Sequence, residues 1–204
     1  MIKKPNNWNE VKEYTEIVKL PLGAYICKVK QVAIQNNGYG DQLCILFDID
    51  EGEYAGYYAD DYKNNQNKDK KWKGILRLWL PKDDGSEKDE MTKRTFKGMV
   101  TAFENSNYGY TFDWNESSLV GKKLGVLYRN EEWEFKGKTG WAARPFRAIS
   151  VESVKNGSFR IPAEKPLKNK STADSYGGFI DYASTSATAG GFAEINGEDD
   201  ELPF

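Results

Sequence analysis

The chain has 204 residues, of which 39% are hydrophobic and 29% are charged, with a formal net charge of −2 and no histidine. This length and composition suit one globular domain with an appendage, and no apolar run is long enough to span a membrane. Two cysteines without any histidine argue against a zinc site and exclude a Ser–His or Cys–His catalytic pair. Because the N-terminal Met-Ile-Lys-Lys-Pro is not followed by an apolar segment, we expect no secretory signal and a cytoplasmic location.

Charge is divided unevenly along the chain. After Lys170 there are seven acidic residues and no Lys or Arg, whereas the whole chain has 31 acids and 29 bases. Residues 1–170 therefore carry 24 acids against 29 bases, a formal charge of +5. A basic body joined to an acidic tail is expected where the body meets phosphate and the tail meets a basic protein.

The chain begins with a lead-in followed by a strand. Residues 1–20 space apolar side chains roughly as a short helix would, and we interpret them as a helix or an irregular lead-in. Alternating apolar residues predict a first strand from Leu22 onward. The alternation changes parity near Lys30 and Gln31, which indicates a β-bulge.

Two further strands are predicted in the first half of the chain. Turn residues at 36–40 separate the first strand from a second at 42–49, which we expect to pair with it in antiparallel orientation. A polar stretch at 63–73 is too hydrophilic for a core and precedes a third strand at 75–80.

The second half predicts one helix and two strands. Residues 86–89, Ser-Glu-Lys-Asp, resemble a capping box that begins a helix ending near 105–109. Segments 122–135 and 141–154 are interpreted as a long hairpin. Three strands, a helix and two strands is the order of an all-β OB-fold, a five-stranded Greek-key barrel with its helix between strands three and four. A β-sandwich is an alternative, but it offers no good place for the helix.

The composition predicts three regions. Residues 1–160 form the OB-fold domain, with 1–20 as its lead-in. Residues 161–197, rich in Ser, Thr, Ala and Gly, are expected to be a flexible linker, and 198–204 an acidic tip, so that the tail as a whole is disordered.

The last residues combine charge with an apolar end. Glu198 to Glu201 are four consecutive carboxylates, and they directly precede Leu-Pro-Phe. This ending resembles the acidic tip of bacterial and phage single-stranded DNA-binding proteins, in which an Asp-rich run precedes Ile-Pro-Phe or Leu-Pro-Phe. The resemblance implies that the tip docks replication, recombination and repair proteins while an upstream OB-fold holds DNA. The partner-binding residues it implies are Asp199, Asp200, Glu201, Leu202, Pro203 and Phe204.

The body carries a second, shorter resemblance. Leu20-Pro-Leu-Gly-Ala-Tyr before the first strand and Gly52-Glu-Tyr-Ala-Gly after the second are similar to segments of single-stranded DNA-binding proteins from phages of Gram-positive hosts. This resemblance implies a phage-encoded protein acting in the cytoplasm of an infected bacterium. The N-terminal strand motif of the bacterial housekeeping proteins is absent, so their tetrameric assembly is not implied, and a monomer or a dimer stays open.

Binding a single strand without sequence preference requires cations for phosphates and flat rings for bases along a groove. In an OB-fold that groove is formed by the face of strands two and three and by the loops joining strands one to two and four to five. Trp72, Trp79 and Trp141 are the expected stacking residues, whereas Trp133 and Phe135 are interpreted as packing surface. The full set of candidate DNA-binding residues is Lys28, Lys30, Tyr57, Tyr58, Lys71, Trp72, Lys73, Arg77, Trp79, Lys136, Lys138, Trp141, Arg144 and Phe146.

Other functions have weaker support in the sequence. Glu134-Phe-Lys136 matches the Glu-x-Lys fragment of metal-dependent nucleases, but the carboxylates that would complete a site (Asp48, Asp50, Asp60 and Asp61) have no spacing that makes them converge. No Gly-rich phosphate-binding motif is present. We therefore expect no enzyme activity, no cofactor and no metal. The alternatives left open are an OB-fold adaptor that binds RNA or protein, and a strand-annealing recombination protein.

Overall fold

A computed structural model describes residues 2–9 and 19–167 and gives these ranges a mainly β architecture. The strands are β1 (Ala24–Asn36), β2 (Asp41–Ile49), β3 (Ile75–Trp79), β4 (Lys123–Phe135) and β5 (Lys138–Ile149). They form one antiparallel sheet in the order β3-β2-β1-β4-β5. The helices within these ranges are α1 (Tyr57–Asn64), α2 (Glu87–Ser106) and α3 (Val151–Lys155), with a 3-10 turn at Glu116–Leu119. The predicted order of three strands, a long helix and two strands is confirmed.

β1 lies between β2 and β4 in the sheet and contains a bulge. Residues 24–28 pair with β4, while residues 27–36 pair with β2. The register against β2 shifts between Val29 and Gln31, which confirms the bulge predicted from the change of parity. The sheet curls enough that its two edge strands, β3 and β5, come within 8 Å of each other (Cα–Cα).

The inward face of the sheet forms the core. Leu43, Ile45 and Phe47 of β2 are fully buried, as are Leu124 and Val126 of β4. Their positions alternate along each strand, so the residues between them point to the other face of the sheet, where Cys44 and Leu46 of β2 are buried as well. On β3 the same alternation puts Arg77 on that other face, and there it is exposed.

The long helix α2 begins where the sequence predicted. The Ser86 hydroxyl accepts a hydrogen bond from the Asp89 backbone N–H at 3.1 Å, as an N-cap does. The Asp89 carboxylate accepts from the Lys82 backbone N–H at 2.7 Å, so it ties the preceding loop to the helix and does not close a capping box. Phe96 and Phe103 then bury the apolar face of α2.

Two short helices correct the prediction of a single helix. The sequence predicts no helix over Tyr57–Asn64, and Gly56, at the N-cap position of α1, provides no side-chain cap. The cap comes from Asp48 on β2, whose carboxylate accepts from the backbone N–H groups of Tyr58 (3.0 Å) and Ala59 (3.2 Å). The last strand was expected to run to residue 154, but it ends at 149, where Ser150 caps α3.

The end of the described chain runs beside β4. The Lys165 N–H donates to the Asn130 carbonyl and the Lys165 carbonyl accepts from the Glu132 N–H, both at 2.9 Å. The body therefore extends to residue 167, beyond the boundary expected at 160. The remaining linker (168–197), the tip (198–204) and the central part of the predicted lead-in (10–18) lie outside the described residues. Within the ranges that are described, no helix has the length and apolar character needed to cross a membrane.

Candidate nucleic-acid interface

The outward face of β3 places a cation next to an aromatic ring. Leu76 and Leu78 point into the core, so Arg77 and Trp79 point to the other side. Arg77 is exposed and lies across from Cys44 of β2. Burial raises the pKa of the Cys44 thiol, and the charge of Arg77 and its hydrogen bond to the sulfur oppose that rise. The guanidinium thus lies on the sheet surface with its donors partly directed to solvent.

The loop between β1 and β2 borders this surface. Lys82 donates from Nζ to the Tyr39 carbonyl at 2.8 Å and so holds the loop against the end of β3. A Cβ added at Gly40 would lie 3.0 Å from Lys82 Cε and 3.6 Å from the Trp79 ring. Tyr39 itself is 71% exposed. Tyr39 is not among the residues predicted from the sequence, although an aromatic side chain in this turn is a usable signal.

The outward face of the β4–β5 hairpin carries a cluster of arginines. Arg129 and Arg144 are cross-strand partners, and Phe146 lies at a register shift between the strands. The Arg129 guanidinium lies 4.3 Å from the centre of the Phe146 ring, and that of Arg147 lies 5.3 Å from it. Arg129 is only 6% exposed and forms a 2.6 Å ion pair with Glu131.

This arrangement divides the arginines by role. Arg129 is committed to Phe146 and Glu131, whereas Arg144 and Arg147 are exposed. The Phe146 ring therefore packs against the guanidinium groups of Arg129 and Arg147, and this is a more direct role for it than stacking on a base. Arg144 and Phe146 are among the residues predicted from the sequence, whereas Arg129 and Arg147 are not.

Two predicted DNA-binding residues, Trp72 and Tyr58, lie in the core. Trp72 is 7% exposed, and its indole N–H donates to the Phe47 carbonyl at 2.9 Å. The Tyr58 hydroxyl lies 2.8 Å from the Tyr128 hydroxyl, and burial raises the pKa of Tyr58. Neither ring offers a face to a base in this structure, so both are removed from the candidate interface.

The lysines flanking Trp72 are partly used in packing. Lys73 forms a 2.9 Å ion pair with Asp61 of α1, and Lys70 Nζ lies 4.4 Å from the centre of the Tyr62 ring. Lys71 remains exposed, while Tyr57 is half-buried with its ring packed edge-on against Tyr58. The loop thus holds α1 to the sheet and contributes Lys71 to the surface.

The two lysines of β1 are exposed but lie apart from Arg77. Lys28 is the cross-strand partner of Asp48 on β2 and of Lys123 on β4. Arg77 is opposite Cys44, four residues from Asp48 along β2. Burial raises the pKa of the Asp48 carboxyl, and this rise is opposed by hydrogen bonds from backbone N–H groups and, to a smaller extent, by the charge of Lys30. Lys28 and Lys30 therefore belong to the opposite end of the sheet surface.

The hairpin residues do not all share one face. Lys138 and Arg144 are cross-strand partners of Phe135 and Arg129, and these four side chains point outward. Trp141 is the partner of Glu132 and points to the other face. Lys136 lies in the turn, with Nζ 5.3 Å from the centre of the Phe135 ring.

Metal chemistry has no assembled site in the described part of the chain. No group of three or more His, Cys, Asp or Glu residues there is arranged to hold a metal ion. Asp48, which was considered as a ligand, caps α1. The predicted partner-binding residues 199–204 lie outside the described ranges.

Comparison of the chain with protein-family models and with curated proteins found no match.

Proposed function

We propose that the protein is a phage-encoded single-stranded DNA-binding protein. It coats and protects DNA exposed in replication, recombination or repair without strong sequence preference. The observation that carries this proposal is the outward face shared by β3 and β5. Arg77 and Trp79 lie side by side on β3, and Arg144 and Arg147 are exposed on β5, which approaches β3. Cations interleaved with rings along one surface suit a strand whose phosphates and bases alternate.

The proposed fold is an OB-fold. A bulged first strand that pairs with both β2 and β4 is consistent with it, as are edge strands that approach each other. The position of α2 between β3 and β4 fits as well. In such a fold, the surface of strands two and three and the adjoining loops hold nucleic acid, and here that surface includes Arg77, Trp79 and Tyr39.

The proposed C-terminal function is partner recruitment. Seven acids and no bases follow Lys170, and the chain ends in Leu-Pro-Phe. Such a tip suits a basic pocket on a replication, recombination or repair protein. A chain ending at Asn196 should bind single-stranded DNA at least as tightly as the whole protein, because it loses four carboxylates that repel phosphate. Much weaker DNA binding by this shortened chain would contradict the division between body and tip.

Titration of the full chain with oligo-dT at low salt tests the proposal. We expect tryptophan fluorescence to change on binding, and the logarithm of affinity to fall with log salt by about 0.7 per phosphate neutralised. Arg77→Ala should weaken binding and reduce that slope by about 0.7. Arg94→Ala, which removes the same charge from an exposed position on α2, is the matched control and should leave the slope unchanged.

Two outcomes would count against the proposal. If oligo-dT neither changes the fluorescence nor shifts the protein in a mobility assay, the protein does not bind single-stranded DNA. If a matched RNA oligonucleotide competes for the protein more strongly than DNA does, the protein is an RNA-binding protein and the proposed function is wrong.

A further inference from the structure

We propose that Trp133 is a base-stacking residue, so that the bound strand continues from β3 onto the outward face of the β4–β5 hairpin. This inference rests on the proposed function, and it reverses the roles that the sequence suggested for Trp133 and Trp141.

The Trp133 ring is held against the glycine opposite it on β5. Trp133 and Gly140 are cross-strand partners. A Cβ added at Gly140 would lie 2.8 Å from Cζ2, 3.0 Å from Cε2 and 3.2 Å from Nε1 of Trp133. Three ring atoms at such short distances mean that the indole lies across the glycine. The side chain is still 39% exposed, so the ring has one face on the strand and the other toward solvent.

Exposed cations lie on the same face of the hairpin as Trp133. Lys138 lies two positions before Gly140 and Arg144 four positions after it on β5, and both are exposed. Phe135, two residues beyond Trp133 and about 7 Å along the strand, is 66% exposed. The one acid on this face near Trp133 is Glu131, and it is paired with Arg129 at 2.6 Å. A ring with exposed cations on both sides meets the two requirements of single-strand binding.

The opposite face of the hairpin has the reverse character. Trp141 lies across from Glu132, and Glu134 follows on the same face across from Thr139. These carboxylates would repel a phosphate that approached Trp141. Trp141 directly follows Gly140, the cross-strand partner of Trp133, so the two tryptophans lie on opposite faces of the hairpin. Trp133 has cations around it, whereas Trp141 has carboxylates.

The test compares three variants of the full chain in binding to oligo-dT. Trp133→Ala should weaken binding by about 5- to 150-fold, the usual range for loss of one stacked base. Trp141→Ala, the matched control, should change it less than about twofold. Gly140→Ala keeps both tryptophans but displaces the Trp133 ring, so it should weaken binding as well.

A second measurement separates stacking from a structural role. Trp133→Phe should recover most of the affinity, and Trp133→Ala should lose much less affinity for an oligonucleotide of abasic sites, since that ligand has no base to stack. Wild-type affinity of Trp133→Ala for oligo-dT, while Arg77→Ala is weakened, would overturn this inference and leave the proposed function standing. An equal loss on abasic and normal strands would also overturn it. No binding of oligo-dT by the wild type would overturn both.

Discussion

The hydroxyl groups of Tyr58 and Tyr128 lie 2.8 Å apart in the core, although the residues are 70 positions apart in the chain. Tyr58 belongs to α1 and Tyr128 to the centre of β4, so this hydrogen bond joins a short polar helix to the sheet. The Tyr58 ring also packs edge-on against Phe47, at 5.7 Å between centroids. This buried polar pair and the rings around it therefore help to fix the position of α1, together with the Asp48 cap.

Replacing one partner of this pair should cost more than replacing both. Tyr128→Phe leaves the Tyr58 hydroxyl buried without its partner, a loss of about 1–3 kcal/mol in the free energy of unfolding. The double replacement of Tyr58 and Tyr128 by Phe removes both polar groups, so its cost should be smaller than the sum of the two single changes. Urea unfolding of the four proteins measures the coupling. Additivity within about 0.5 kcal/mol would contradict a shared hydrogen bond.

The protein should lose stability at alkaline pH. Burial raises the pKa of Tyr25 to about 12 and raises the pKa values of Tyr58 and Tyr128 further above 10. In the unfolded chain these hydroxyls ionise near pH 10, whereas in the folded protein they keep their protons. These tyrosines therefore make their full contribution to the free energy of unfolding below about pH 10. Above that pH the free energy of unfolding falls, by up to about 1.4 kcal/mol per pH unit for each fully buried tyrosine.

Urea unfolding at pH 9, 10 and 11, combined with tyrosinate absorbance, checks this expectation. The variant with both Tyr58 and Tyr128 changed to Phe should show a shallower decline above pH 10. An equal decline in this variant and in the wild type would mean that other groups cause the alkaline instability.

The sequence predicted the elements whose signals are local. Alternation identified the strands, the change of parity identified the bulge after Val29, and Ser86 identified the start of α2. It did not identify α1, because the cap of that helix is Asp48, ten residues before Tyr58 and on another element. Trp72 was misassigned for a similar reason. Its lysine neighbours indicated exposure, while the partner of its indole N–H, the Phe47 carbonyl, is 25 residues away.

Site residues were predicted correctly where the alternation within one strand determines which way a side chain points. They were missed where the pairing register between two strands determines it. Arg77 and Trp79 follow from the alternation of β3 alone. The hairpin was expected to turn over five residues, whereas Lys136 and Gly137, with φ of 50° and 74°, form a two-residue turn. That turn sets which side chains share a face, so it could not be known from sequence that Trp133 lies over Gly140.

Removing the long-range cap of α1 should destabilise the protein. Asp48→Ala deletes the acceptor for the Tyr58 and Ala59 N–H groups, and we expect a loss of about 1–2 kcal/mol. Asp48→Asn keeps one acceptor oxygen and should lose less. Thermal and urea unfolding of both variants measure the difference. Equal stability of Asp48→Ala and wild type would show that α1 does not depend on this cap.

Changes at Trp72 and Trp79 should have opposite consequences, which separates the core from the interface. Trp72→Phe removes the bond to the Phe47 carbonyl inside the core, so it should lower the free energy of unfolding by about 1–3 kcal/mol. The protein that remains folded should still bind oligo-dT with wild-type affinity.

Trp79→Ala should weaken binding by about 5- to 150-fold, because a stacking ring is lost from the outward face of β3. Fluorescence or mobility titration, with unfolding curves for each variant, tests both statements. A loss of affinity in Trp72→Phe as large as that in Trp79→Ala would return Trp72 to the interface, since a buried ring could bind a base only if the loop that covers it opened.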